Sequence, residues 1–229
     1  MTGPLYDAAT YILPIIFAIV FHEVAHGVMA RALGDPTAQQ RGRLSLNPLR
    51  HVDPFGTVIL PGLLALAHAP VFGWAKPVPI DYRRLRHPKR DMALVGAAGP
   101  ATNFVLAGLS AVLIGLLARS YGSQGTPGPV MTFVFDNLQN FILINCFLGL
   151  FNLLPLPPFD GSRILRGIAP WPLARLLDRI EPYGLIVFAL AFVVLPQIAP
   201  SLHLIDRVLM PPVDWLLRQM GALIALVAG

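Results

Sequence analysis

At 229 residues the chain could hold one or two domains, but 55% hydrophobic against 13% charged residues, with a mean hydropathy of +0.64, exclude an ordinary soluble fold. This is the composition of an integral membrane protein. The net charge of +5 does not point to nucleic acid, because the basic residues sit beside apolar runs. The lone cysteine, Cys146, excludes an intramolecular disulfide and reads as a small packing residue.

No cleavable signal peptide is expected, since Asp7 stands where a positive segment would be; the first apolar run reads as a retained anchor. That run, about Thr10 to Leu33, is long enough to cross a bilayer and stops at Gly34-Asp35-Pro36. Inside it lies His22-Glu23-Val24-Ala25-His26, an H-E-x-x-H motif. At 3.6 residues per turn the two histidines share a helical face, one turn apart. A polar, basic stretch follows, in which the alternation around Arg43-Leu44-Ser45-Leu46 is expected as a short strand bounded by Gly42 and Asn47-Pro48. Asp53-Pro54 reads as a turn or helix cap, the alternative being a metal pair with His51.

The second run, Phe55 to Ala69, is short for a crossing, contains Pro61-Gly62, and suits a re-entrant or tilted segment. The stretch from Gly73 to Ile80 is extended by Pro77 and Pro79, with Trp74 suited to the membrane interface. The third run, Met92 to Ala118, carries Gly96 and Gly99-Pro100 for close packing and Asn103 for a hydrogen bond across helices. After a Gly/Pro-rich loop, the fourth run extends from about Val130 to Leu156 and ends in Asn152-Leu153-Leu154-Pro155-Leu156-Pro157-Pro158-Phe159-Asp160-Gly161. A fifth spans Tyr183 to Ile198. A sixth, near Met210 to Val227, contains Asp214 and Arg218 and alternatively lies on the membrane surface.

Fourteen of the seventeen Lys and Arg fall in 31–50, 76–90 and 163–179. The positive-inside rule puts all three segments in the cytoplasm, which requires the second run to enter and return. His22 and His26 then lie in the cytoplasmic half of the first run, and Asp160 at the cytoplasmic end of the fourth. The three can meet at one depth.

Two imidazoles one turn apart can hold a single Zn²⁺, and a catalytic zinc needs three protein ligands and an open position. Asp160 is the best candidate for the third, although a turn or N-cap role is its alternative. Glu23 is placed to act as general base. Asn152 is a candidate donor to a developing oxyanion, or else an interhelical hydrogen-bond partner. Cutting a peptide bond in a membrane helix requires unwinding, and the freed backbone groups need partners. An edge strand at Arg41 to Leu46 would supply them. The stretches 54–62 and 73–79 are candidates to bound an entrance.

With these motifs in hand, the chain resembles the site-2 protease family of intramembrane zinc metalloproteases, over roughly residues 10 to 168. His22-Glu23-x-x-His26 is similar to the family's zinc motif, and Asn152-x-x-Pro155-x-Pro157-x-x-Asp160-Gly161 to its second motif, whose Asp is the third ligand. Gly99-Pro100-Ala101-Thr102-Asn103 looks like the third-helix signature. Leu46-Asn47-Pro48, Asp53-Pro54-x-Gly56-Thr57 and Gly73-Trp74-Ala75-Lys76-Pro77-Val78-Pro79 resemble the small bacterial and archaeal subgroup without PDZ or CBS domains. Many members carry Leu-Asp-Gly-Gly where this chain has Phe159-Asp160-Gly161-Ser162.

The expected architecture is an all-α polytopic membrane protein of five to six transmembrane or re-entrant helices with a small membrane-associated β element. It forms one domain over 1–229, with a catalytic core at about 10–168 and C-terminal helices at about 183–229. The resemblance implies an intramembrane endopeptidase with one Zn²⁺ held by His22, His26 and Asp160, and Glu23 and Asn152 in catalysis. Its partners would be a transmembrane protein substrate and the lipid bilayer, with no nucleic acid and with oligomerisation or a membrane adaptor left open. The expected location is the plasma membrane, with the active site toward the cytoplasm. The competing readings are a helix-binding scaffold that does not cut, and a metal or proton transporter using His22, Glu23 and Asp160 as a relay.

Overall fold

The computed structural model describes residues 3–66, 73–121, 127–199 and 205–229. In chain order these form α1 (Pro4–Ala32), α2 (Thr37–Gln40), a 3-10 turn (Pro48–His51) and a π-helical turn (Pro54–Ile59) running into α3 (Leu60–Leu66). A 3-10 turn (Tyr82–Arg84) precedes α4 (Pro88–Tyr121), α5 (Pro129–Asn152), α6 (Asp160–Ile168) and α7 (Trp171–Ile180). Then come α8 (Gly184–Ala189), α9 (Leu195–Ile198) and α10 (Met210–Ala228). Among the described residues, four helical spans are long and apolar enough to cross a membrane: Leu5–Ala32, Pro88–Tyr121, Pro129–Asn152 and Trp171–Ile198. The chain is an all-α membrane protein.

The chain divides into two compact units. The first comprises Met1–Ala18, Pro100–Asn152 and Leu204–Gly229. Its core joins Ala107, Ala111 and Ile114 of α4 to Ile142 and Cys146 of α5, with Leu217, Met220 and Ile224 of α10 packed against them. Small residues on α4 let these helices approach: a Cβ on Gly115 would stand 2.6 Å from Val227. Polar side chains bond within this unit instead of facing lipid. Asn103 donates to Asn145 at 2.7 Å, the cross-helix bond its sequence position suggested, and Asn140 donates to the Thr10 carbonyl at 2.9 Å. The Tyr6 hydroxyl donates to Asp136 at 2.6 Å.

The second unit comprises Ile19–Gly99 and Leu153–His203. Here α1 ends as the sequence predicts. Gly34 adopts φ +114, a left-handed conformation that glycine enters without a Cβ penalty, and the Asp35 N–H closes back onto Ala30. The buried Asp35 carboxylate then accepts from the Thr37 amide at 2.9 Å, the Thr37 hydroxyl and the Asp81 amide at 2.7 Å, so it staples 35–37 to the segment before α4. Ala30, Leu85 and Val95 form the core beside it.

The strand and the start of the fifth run depart from expectation; the shortness of the second run does not. There is no strand among the described residues: Arg41 and Gly42 form a turn, and 43–47 has no regular secondary structure. A strand requires a ladder partner, but the Ser45 carbonyl is taken by the His51 imidazole at 2.8 Å and Arg43 spends its guanidinium on the Lys76 and Pro77 carbonyls. The second apolar run forms a short helix, Pro54–Leu64, below spanning length, and its end at 67–69 lies outside the described residues. The fifth run starts earlier than predicted, because helix extends over Trp171–Ile198 despite the charged first turns. Of the loop at 120–129, residues 122–126 lie outside the described residues.

Candidate metal centre

His22 and His26 lie within the uninterrupted apolar helix α1, so the one-turn spacing brings their Nε2 atoms to 3.1 Å with the rings edge to face. Opposite them is Asp160, the first residue of α6. Phe159 holds the N-cap position without a side-chain cap, so the Asp160 carboxylate is not spent on capping. Its Oδ2 lies 3.0 Å from His22 Nε2 and 3.1 Å from His26 Nε2. All three residues are buried, at 5%, 3% and 4% relative exposure. They form a cluster of three potential ligands whose donor atoms converge on one point.

The donor chemistry suits a cation. His26 Nδ1 donates to the Val95 carbonyl at 2.7 Å, which can only accept, so Nδ1 carries the hydrogen and Nε2 is free to present its lone pair. Ligands about 2.1 Å from a tetrahedral ion lie roughly 3.4 Å apart, so a triangle of this size fits with a small outward movement. Space is reserved as well. A Cβ on Gly99 of α4 would stand 2.5 Å from His26 Nε2 and 2.6 Å from His22 Nε2, so only glycine leaves that side of the imidazoles open.

The other carboxylate oxygen of Asp160 has its own partner: Arg163 Nη1 donates to Oδ1 at 3.0 Å. Burial alone would push the Asp160 carboxyl up, but without an ion the His22 and His26 imidazoles, when protonated at Nε2, donate to it and hold it well below the usual carboxylate range; a cation takes the place of those protons. The carboxyl is therefore ionised and ready to bind a cation at neutral pH.

Glu23 is half-buried on α1 and accepts from the Val78 amide at 2.9 Å. Val78 belongs to the proline-extended stretch 73–80, which is fixed along its length. The Trp74 amide donates to the Gly56 carbonyl at 3.1 Å, Thr57 Oγ1 to the Trp74 carbonyl at 2.8 Å, and the Lys76 amide to the His51 carbonyl at 2.8 Å. The two stretches expected to bound an entrance are thus pinned to one another, and Gly56 packs so closely that a Cβ would stand 2.3 Å from the Trp74 indole.

The alternatives for the third ligand fall elsewhere. Asp53 caps the π-helical turn by accepting from the Phe55 and Gly56 amides, and His51 holds the Ser45 carbonyl. Asn152, the last residue of α5, belongs to the other compact unit and donates to the Leu148 carbonyl of its own helix at 2.9 Å. Sequence reasoning missed Arg163, Val95 and Val78. The i, i+3 spacing of Asp160 and Arg163 was a readable signal, whereas the other two act through backbone groups that no residue type announces.

Residues 10–195 match the model of peptidase family M50. YwhC of Bacillus subtilis strain 168, named as a candidate zinc metalloprotease, is 38% identical over 194 residues, covering 83% of each chain. Two mycobacterial proteins named Rip2, also as candidate zinc metalloproteases, are more distant. The Mycolicibacterium smegmatis protein is 28% and the Mycobacterium tuberculosis protein 26% identical, each over 87% of this chain and 72% of the relative. No solved structure matches the chain significantly.

Proposed function

Because the chain belongs to peptidase family M50, the site-2 protease family, we propose that it is a zinc-dependent intramembrane endopeptidase. It hydrolyses peptide bonds within or near the transmembrane segments of other membrane proteins. One observation carries the reading: two histidines one helical turn apart and an aspartate more than 130 residues away converge to 3.0–3.1 Å in a buried cluster next to a glutamate. His22, His26 and Asp160 would hold one Zn²⁺, which when bound supplies a Lewis acid that acidifies water and polarises a carbonyl.

The chain's own residues supply the rest. Glu23 takes a proton from the attacking water and delivers it to the leaving nitrogen; its Oε2 is oriented by the Val78 amide, which leaves Oε1 for the proton. Asn152, near the helix end that leads into Pro155-x-Pro157, is the proposed donor to the oxyanion; to act, its amide has to leave the Leu148 carbonyl. Substrate backbone unwound for cleavage would pair with the irregular stretch 43–47. The positive-inside distribution supports a plasma-membrane protein whose site opens toward the cytoplasm. A transport relay is less well supported, since Asp136, Asn140 and Asn145, the groups it would use, are engaged in hydrogen bonds with Tyr6, Thr10 and Asn103.

The test is metal content of the detergent-purified chain beside His26→Ala and Asp160→Ala. About one zinc per chain, lost or weakened in both variants, is the expected result. Glu23→Gln should keep the metal while peptide cleavage falls by about 10²-fold or more. A folded, metal-supplemented wild type without zinc would overturn the reading.

A further inference from the structure

Asp160 uses both carboxylate oxygens, and only one is explained by a metal. Oδ2 completes the triangle with His22 and His26, while Oδ1 accepts from Arg163 Nη1 at 3.0 Å. A carboxylate is twofold symmetric and its terminal torsion is broad, so the two histidines alone do not determine how the group is turned. We infer that Arg163 is a positioning residue for the candidate metal centre, holding the Asp160 carboxylate in the rotation that presents a single oxygen to the ion. The inference rests on the zinc reading above and adds a residue outside the three ligands.

The fold is arranged to keep Arg163 in place. It follows Asp160 by three residues on α6, so both side chains leave the same face of the helix. The backbone beneath is pressed onto α4 at Gly96, where a Cβ would stand 3.2 Å from Arg163 Cβ and 3.3 Å from the Asp160 carbonyl. The other arginine of this helix, Arg166, is directed to Asp178 at 2.7 Å and to Glu181, which divides the nearby carboxylates between the two guanidiniums. A guanidinium keeps its charge at any physiological pH, so Arg163 is a permanent donor to Asp160 Oδ1. A guanidinium also offers several donors in one plane, so it can restrain the carboxylate's rotation as well as attract it. Partners of this kind behind a metal ligand typically change affinity by about 10–100-fold.

The experiment measures zinc affinity by chelator competition on the full detergent-purified chain, for wild type, Arg163→Met, Arg163→Gln and Arg163→Lys. Absorption of the Co²⁺-substituted protein reports ligand geometry, and thermal unfolding of the metal-free protein reports folding. The expected result is zinc affinity about 10–100-fold weaker in Arg163→Met and Arg163→Gln, an altered cobalt spectrum, and partial recovery of both in Arg163→Lys. A purely structural arginine would move the metal-free melting temperature and leave the affinity and spectrum of the folded fraction unchanged. Affinities within about twofold of wild type in Met and Gln would overturn the inference while leaving the zinc enzyme intact. Should Arg163→Met fail to fold, Gln against Lys decides: weakened in Gln and retained in Lys supports it, unchanged in both overturns it. A wild type that binds no zinc sinks the reading beneath it as well.

Discussion

At the scale of single residues, Gly99 gives the sharpest separation between folding and metal binding. Alanine there gains about 1 kcal/mol of helix propensity over glycine, yet its methyl would lie within 2.5–2.6 Å of both imidazole nitrogens. Gly99→Ala should therefore keep its helical circular dichroism and lose zinc, as read by elemental analysis on the same sample. Asp160 gives a test with a definite sign. Its carboxyl is held below its ordinary range, so in the metal-free protein its contribution to stability is complete above the unfolded value of about 3.9 and is lost as pH falls below it. Replacing it in Asp160→Asn should flatten the acid limb of the stability profile, as followed by thermal unfolding between neutral pH and acid. His22, Glu23 and His26 were legible because their relation is set inside one helix, where spacing is geometry. Asp160 was legible through its motif. The space above Gly99 was not, because it depends on how closely α4 approaches α1; Arg163 was readable only as an i, i+3 partner of Asp160, not as a side chain held in place by Gly96.

At the element scale, the helices α4 and α6 touch through glycines at Gly96 and Gly167. A Cβ on Gly167 would meet Ala93 Cβ at 2.5 Å and the Lys89 carbonyl at 2.7 Å. Neither neighbour is the tip of a flexible chain, so α6 would have to move, and it carries Asp160 and Arg163. Gly167→Val should destabilise the protein by about 1–3 kcal/mol and weaken zinc binding without touching a ligand. Thermal unfolding and metal titration on one preparation would check both. The end of α1 at Gly34-Asp35-Pro36 followed from glycine and proline, but the start of the fifth run did not, since helix extends back to Trp171 through charged turns. The strand expected at Arg41 to Leu46 did not form, because alternation in sequence specifies a face but not a partner. Instead the His51 imidazole takes the Ser45 carbonyl, and Arg43 reaches across to the Lys76 carbonyl.

For the whole molecule, apolar length and basic clusters made the membrane class readable before any coordinates, and four helical spans among the described residues are long and apolar enough to agree with it. The division into two compact units was not readable, since α1 and α4 each contribute to both and the sequence shows no linker within them. Metal removal acts at this scale: a ligand that binds only the folded chain stabilises it by mass action, about 2.7 kcal/mol at a hundredfold excess over its dissociation constant. Chelation should lower the melting temperature of wild type and leave Asp160→Ala unmoved. Cys146 has a practical consequence here. It is the only thiol in the chain and is fully buried in the core of the first unit, out of reach of a water-soluble maleimide. The unaltered chain is thus already a silent background for labelling, and a cysteine introduced at one loop at a time would report which side of the bilayer that loop occupies.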